Sequence, residues 1–412
     1  MTKRGSIVFA FLLILVLTVL GAAIFLRSVN ENLVAQRTAN SSAALWASEA
    51  GLQKVLWEYN YNSCQGMVQE GTSTACASCT GCGSGNKAVA GTLTGYGDYD
   101  VTLNNANTTI QSIGSIPNRD TASKIQRKVQ ATIGKPDVFS YGIFAQGQVD
   151  LSNNILVDSY NSNDGAYGGS NIHSNGNVGS NGTSPGIITI SNNVVVNGNV
   201  STGLDGTVTV DNNATVSGST THNNSVALPA VVVPSTLTAL LSSGQLSLGD
   251  GASGTINAGD YKYNGISVSN NSSLTINGDV RLYLTDSDTL STGNNATITI
   301  ASGASLTVYT DGVITFANNI SINTVSQLPS KFQIYSTYTG SDGVNLHNNG
   351  TSYVAIYAPQ TDIDINNNGQ FYGAIVGKTV DMNNNAQSHY DEALATLASP
   401  FENAILSNWQ EY

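Results

Sequence analysis

Ile188-Thr-Ile-Ser-Asn-Asn-Val-Val-Val-Asn-Gly198 is followed ten residues later by Val208-Thr-Val-Asp-Asn-Asn-Ala-Thr-Val-Ser-Gly218, and the same sentence returns as Ile266-Ser-Val-Ser-Asn-Asn-Ser-Ser-Leu-Thr-Ile-Asn-Gly278. Within each run aliphatic residues alternate with small polar ones, the period of two expected of strands. An Asn-Asn pair breaks each run at the same place, and asparagine tolerates the left-handed backbone that a tight corner needs. Such pairs begin at 192, 212, 270, 294, 318, 348, 366 and 384, at intervals of 20, 58, 24, 24, 30, 18 and 18. Most intervals are near the length of one coil of a parallel β-helix, and the longer ones leave room for extra coils or loops.

The fold expected over 138–394 is therefore a right-handed parallel β-helix of about ten coils, roughly 50 Å long. One asparagine per corner (Asn192, Asn212, Asn270, Asn294, Asn318, Asn348, Asn367 and Asn384) would stack into an amide ladder. The clusters 366–368 and 383–385 are expected at equivalent corners of adjacent coils, with Ile363, Ile365, Val380 and Met382 pointing inward. An antiparallel β-sandwich is the alternative, but the recurring spacing with one kind of corner residue favours the solenoid. Leu228-Pro229 to Pro234 followed by Leu237 to Leu241 reads as a loop carrying one short helix.

Upstream, Lys3 and Arg4 precede an uncharged apolar run from Ile7 to Leu26. Twenty residues at about 1.5 Å each span a hydrocarbon core. The two basic residues hold the start of the chain in the cytoplasm and send the rest outward. Ile24-Phe25-Leu26-Arg27 is a poor site for signal cleavage. Leu45, Ser48, Leu52, Val55 and Tyr59 then recur at helical spacing, so one long helix is expected over 6–60.

Four cysteines follow: Cys64, Cys76, Cys79 and Cys82. In an exported chain they read first as two disulfides of undetermined pairing. A zinc site is the alternative, although three thiolates in one short run match tetrahedral geometry poorly. Strand-like runs at Tyr99 to Leu103, Thr108 to Ile113 and Ser123 to Ile133 would pack on the lower helix as a small α+β head, with the cysteine loop completing 61–135. A helical cap is expected over 395–412.

Lys3-Arg4-Gly5-Ser6, the apolar helix and Trp46-Ala-Ser-Glu-Ala-Gly-Leu52 together resemble type IV pilin-like proteins, particularly PilX-type minor pilins. The resemblance implies cleavage of a leader, residues 1–5, between Gly5 and Ser6. The fifth mature position is Ala10, where major pilins carry glutamate, a departure that suits a minor or tip subunit. A plain single-span anchor is the bland alternative. The segments Val157-Asp-Ser-Tyr-Asn-Ser-Asn-Asp-Gly165, Tyr357-Ala-Pro, Phe371-Tyr-Gly-Ala-Ile-Val and His389-Tyr-Asp-Glu-Ala resemble the uncharacterised β-helical domain often fused to such N-termini, over most of 138–394.

Residues 1–150 hold 11 basic and 9 acidic side chains, and 151–412 hold 4 and 18, so the second part carries the whole excess of the net −12. A body this acidic gains little from phosphate contacts, which excludes nucleic acid as a partner. Pectin-cleaving enzymes share the β-helix, so carboxylate pairs at Asp286/Asp288 and Asp362/Asp364 deserve notice. Solvated outward faces explain them more simply, and no nucleophile motif or Gly-rich phosphate loop is present. The four histidines, 173, 222, 347 and 389, read as surface residues. Asp158 and Asp164 could attract Ca²⁺, but no calcium-loop pattern supports it. No catalytic residue, metal or cofactor is expected.

The function expected is a minor or tip pilin subunit of a bacterial surface filament, displaying a rod for surface contact, adhesion or pilus assembly. It would sit in the inner membrane with its C-terminal part outside before reaching the pilus or cell surface. Its partners would be other pilin or assembly subunits through the N-terminal helix, and a surface polysaccharide, host or abiotic surface through the rod. The alternatives are a membrane-tethered protein that binds or cleaves carbohydrate, and an assembly factor that stays in the membrane.

Overall fold

The structure, a computed structural model, describes residues 3–82, 85–104, 106–323, 325–347, 349–397 and 404–412, with side chains from Leu17 onward and excepting that of Asp288. It divides into two compact units, 1–135 with 402–412, and 136–401.

In the first unit α1 (Lys3–Tyr61) runs without a break from the apolar stretch into the amphipathic one. Among the described residues it is the one helix long and apolar enough to cross a membrane, by length and composition. Its lower half turns Ala44, Ala47, Ser48, Leu52 and Val55 inward, all at most 2% exposed. They meet an antiparallel sheet of β1 (Val68–Gln69), β2 (Lys87–Leu93), β3 (Gly97–Leu103), β4 (Thr109–Ile116), β5 (Ile125–Gly134) and the C-terminal strand Ile405–Glu411, in that order. The helix lies very close to the sheet because Gly51 faces it: a Cβ there would come 2.3 Å from Ser112 Oγ and 2.5 Å from Val101 Cγ2.

The expected helical cap over 395–412 is corrected by this sheet. After a 3-10 turn at Glu392–Thr396, residues 405–411 form a strand that pairs with β5, and 398–403 lie outside the described residues. A short isolated helix is marginal in water, whereas the open edge of β5 offers a row of unpaired backbone groups. Arg127 on β5 fastens the strand through an ion pair with Glu411. The head is thus discontinuous in sequence, and Gly134 pairs with Ile405, so the chain leaves and re-enters it side by side.

The second unit is a stack of coils, and its long sheets contain only parallel pairings, which rules out the sandwich. Its ten-stranded sheet runs Val208–Val210, Ile188–Ile190, Val149–Leu151, Val380–Met382, Ile363–Asn366, Val344–His347, Val313–Phe316, Asp288–Thr292, Gly265–Val268 and Gln245–Leu248. A second long sheet completes the coils, and aliphatic side chains from both fill one continuous core. Ile363 lies opposite Val380 and Ile365 opposite Met382, all at most 3% exposed.

The order of that sheet carries the main surprise. The chain starts in the third coil and winds outward through two more, to residue 221. Residues 222–244 then return it past the stack to the opposite end, and seven coils wind back until 380–391 lies against 149–160. Both parts rise in the same direction, so the stack is a linear solenoid cut between two neighbouring coils, with its outer ends joined by a strap. The strap contains the short helix Ser235–Thr238 and lays Val226, Leu228, Val231, Val233, Leu237 and Leu240 over Tyr309, Tyr335 and Tyr357. An uncut solenoid of ten coils would separate its two ends by roughly 43 Å. The cut places them on adjacent coils.

Candidate functional site

Gly5 and Ser6 lie on the backbone of α1. At the other end of that helix Glu58, 1% exposed, receives Lys54 Nζ at 2.7 Å, Asn62 Nδ2 at 2.7 Å and the Gly66 N–H at 2.9 Å. Burial pushes its carboxyl up, but these hydrogen bonds and the nearby lysine outweigh that and hold it below the usual range. The knot fixes the turn into the cysteine loop, where Cys64 bonds Cys79 and Cys76 bonds Cys82. With all four sulfurs joined in pairs, none is a free thiolate for zinc.

On the rod the corner asparagines form a directional ladder. Asn213 Nδ2 donates to Asn193 Oδ1 at 3.0 Å, Asn193 to Asn154 at 3.0 Å, and Asn154 to Asn385 at 2.9 Å. Asn385 donates in turn to Asn368 at 2.9 Å, and Asn368 to Asn349 at 3.2 Å. Farther along, Asn295 donates to Asn271 at 3.1 Å. The ladder crosses without change of direction from 154 to 385, where the two parts of the chain meet.

It runs mostly through the second residue of each pair, which pattern reading had not separated from the first. Of the residues named from sequence, Asn192 donates to Asn153 at 3.2 Å. Asn270 and Asn294 accept the backbone N–H of Asn294 and Asn318 at 2.9 and 3.3 Å. Asn367 and Asn384 supply left-handed corners, with φ of 72° and 60°. Asn212 is in an exposed turn, and Asn348 lies outside the described residues. A signal was available for Asn154, Asn193, Asn213, Asn295 and Asn385, each of which immediately precedes a buried apolar residue.

Where the two parts of the rod meet, a polar cluster is buried. His389 Nδ1 lies 2.5 Å from Asp158 Oδ1, and both residues are at most 2% exposed. Tyr167 donates its hydroxyl to Asp158 Oδ2 at 2.7 Å and lies tilted against the imidazole, with ring centroids 4.0 Å apart. On its other side the imidazole stacks on Tyr372, and Tyr372 on Tyr353, on successive coils. Glu392 accepts from Ser159 Oγ and Asn175 Nδ2 and meets His173, while Asp391 Oδ1 accepts the Ser162 N–H. One sequence expectation is corrected here: His389 is interior, not a surface residue, and its partner Asp158 bonds Tyr167 as well. Buried this completely, the pair acts as a clasp between the two parts of the rod.

Other carboxylates form a separate, half-buried feature at the surface. Asp150, Asp381 and Asp364 stand opposite one another on three neighbouring strands, and with Asp342 and Asp362 they line an open groove of about 380 Å³. Partial burial, and then the charge of Asp381, push the Asp150 and Asp364 carboxyls up. Asp362 receives Thr379 Oγ1 at 2.8 Å, with Lys378 at 3.9 Å. Asp286 sits in an exposed turn away from this groove, and Asp288 begins the next strand. His222 bonds Thr202, and His347 is exposed.

A family model described as a domain of unknown function (DUF7305) matches residues 218–397, less than half of the chain. That span takes in the strap and the seven returning coils. No curated protein matches the chain. Among solved structures, the crystal structure of competence-associated pilin ComZ from Thermus thermophilus is similar at 11% identity, covering 90% of this chain and 97% of that one, with a TM-score of 0.24. A TM-score of that size does not establish a common fold.

Proposed function

We propose that this chain is a pilin-like subunit, a minor or tip component of a type IV pilus-related filament, that displays its β-solenoid for contact with a surface and has no catalytic role. The observation that carries this reading is the build of the head. A membrane-length apolar helix continues unbroken into a stripe packed on an antiparallel sheet, and the solenoid is inserted before that sheet's last strand. Such a helix serves first as an anchor in the inner membrane and then as the contact with other subunits. Prepilin-type cleavage between Gly5 and Ser6 belongs to the same proposal. The rod, stiffened by a continuous core, is suited to holding a surface away from the membrane. Immunogold labelling of sheared filaments with antibody to the rod tests it: gold along or at the tips of filaments is expected. Label confined to the membrane fraction would favour a resident assembly factor instead.

The acidic groove favours one second reading, in which the rod binds or cleaves a polysaccharide. Activity on such polymers that Asp362→Asn abolishes without altering the melting temperature would establish it.

A further inference from the structure

Coils at both ends of the rod and at its junction turn the corner with the same spacing. Five positions separate the last paired residue of the strand before the corner from the first paired residue after it: Val210 to Thr215, Ile190 to Val195, Leu151 to Leu156, Met382 to Gln387, and likewise Leu248 to Ser253. The two outermost coils, 207–221 and 245–263, obey the same rule, yet among the described residues no strand pairs with their outer edges, where the strap adds the Ser243 N–H on the Lys262 carbonyl at the far end of the second. Their cores are open. Val208, Val216, Leu246 and Leu248 are only partly buried, and Val210 is 43% exposed, whereas the equivalent Ile188, Ile190, Val196, Ile266 and Val268 are at most 1% exposed. Solenoids ordinarily close such ends with a polar capping repeat, because a bare strand edge templates further pairing.

We propose that the outer edge of coil 207–221 binds the outer edge of coil 245–263 of a second copy of this chain, continuing the solenoid across the junction. An identical rod is the partner that offers parallel strands and a corner at the required spacing together. The corners set the register: Leu246, Ser247 and Leu248 of one copy fall opposite Val208, Thr209 and Val210 of the other, so inward apolar positions meet inward apolar positions. Gly254, over which Leu248 of its own coil folds, falls opposite Val216, so apolar atoms meet there too. Asn212 Oδ1 faces the backbone N–H of residue 250, the bond that Asn270 and Asn294 already accept within the rod. Because the two edges differ, the contact is heterologous and does not close on itself; it builds a row. Each edge has fewer than about 20 residues, below a standard stable interface, so the contact is weak and needs copies crowded on one membrane or filament. Net negative charge opposes approach, and salt screens it.

Disulfide trapping in membranes carrying the full-length protein tests this. Thr209 and Ser247 are exposed, and in this register they lie across the junction. The double variant Thr209→Cys/Ser247→Cys is expected to give a ladder of multimers on non-reducing gels, stronger at 0.5 M than at about 0.05 M salt. Each single variant should give none, and the two coexpressed should give dimers only. Adding Val210→Lys should abolish the ladder with melting unchanged. A double variant whose cysteines both react with maleimide but form no ladder overturns the proposal, as does trapping of a different protein in its place.

Discussion

Asn385 sits at the junction of the two parts of the rod, accepting from Asn154 and donating to Asn368, both at 2.9 Å, with φ at 63°. Asn385→Ala removes both side-chain bonds. They are exposed, so each contributes near the lower end of the usual range, about 0.5 kcal/mol. Alanine must also hold a left-handed backbone, which costs roughly 1–2 kcal/mol. The expected loss is about 2–3 kcal/mol. Asn385→Gly loses the same bonds without the backbone strain and should cost about 1 kcal/mol. Urea unfolding followed by far-UV circular dichroism reads the rod; tryptophan fluorescence reads the head, since Trp46, Trp57 and Trp409 all belong to it. Two variants indistinguishable from the parent would show that the ladder is inert decoration. Glycine costing more than alanine would show that the corner conformation has been misread.

Asp158→Ala leaves His389 and the Tyr167 hydroxyl without their buried partner and should destabilise the rod by about 3–5 kcal/mol, seen as a lowered urea midpoint. Asp150 and Asp364 have carboxyls raised in the folded state, so their charges oppose folding at neutral pH. Rod stability should therefore rise as pH falls from 7 toward the ordinary aspartate value of about 3.9, and Asp381→Asn should flatten that rise in thermal melts. Non-reducing peptide mapping should find Cys64 joined to Cys79 and Cys76 to Cys82; removing the first, which closes a 15-residue loop, should cost the head about 3 kcal/mol.

Much of this architecture was legible in the sequence, and particular residues show why. Alternation such as Ile188, Ile190 and Val194 to Val196 fixes which side chains face the core, and a repeated Asn corner forces strands of similar length to stack in parallel. The spacing between corners is blind to the order of stacking, because a coil looks the same whichever neighbour it meets. Hence the cut between coils 380–391 and 149–160 was hidden. Within the 58-residue gap from Asn212 to Asn270 the loop with its short helix was legible, whereas its course past the whole stack and the coil whose corner is Asp250-Gly251 were not. The C-terminal strand was illegible for a different reason. Leu406-Ser-Asn-Trp-Gln-Glu411 has little strand character of its own, and its conformation comes from the edge of β5, nearly three hundred residues away. The clasp of Asp158 and His389 was unreadable likewise: 231 residues separate two groups that fold 2.5 Å apart.

The mature N-terminus tests most directly whether α1 is a processed pilin-type helix that carries the inserted solenoid. Mass spectrometry of the purified full-length protein should find a chain beginning at Ser6. A chain retaining Met1, or one beginning beyond Leu26, would contradict it.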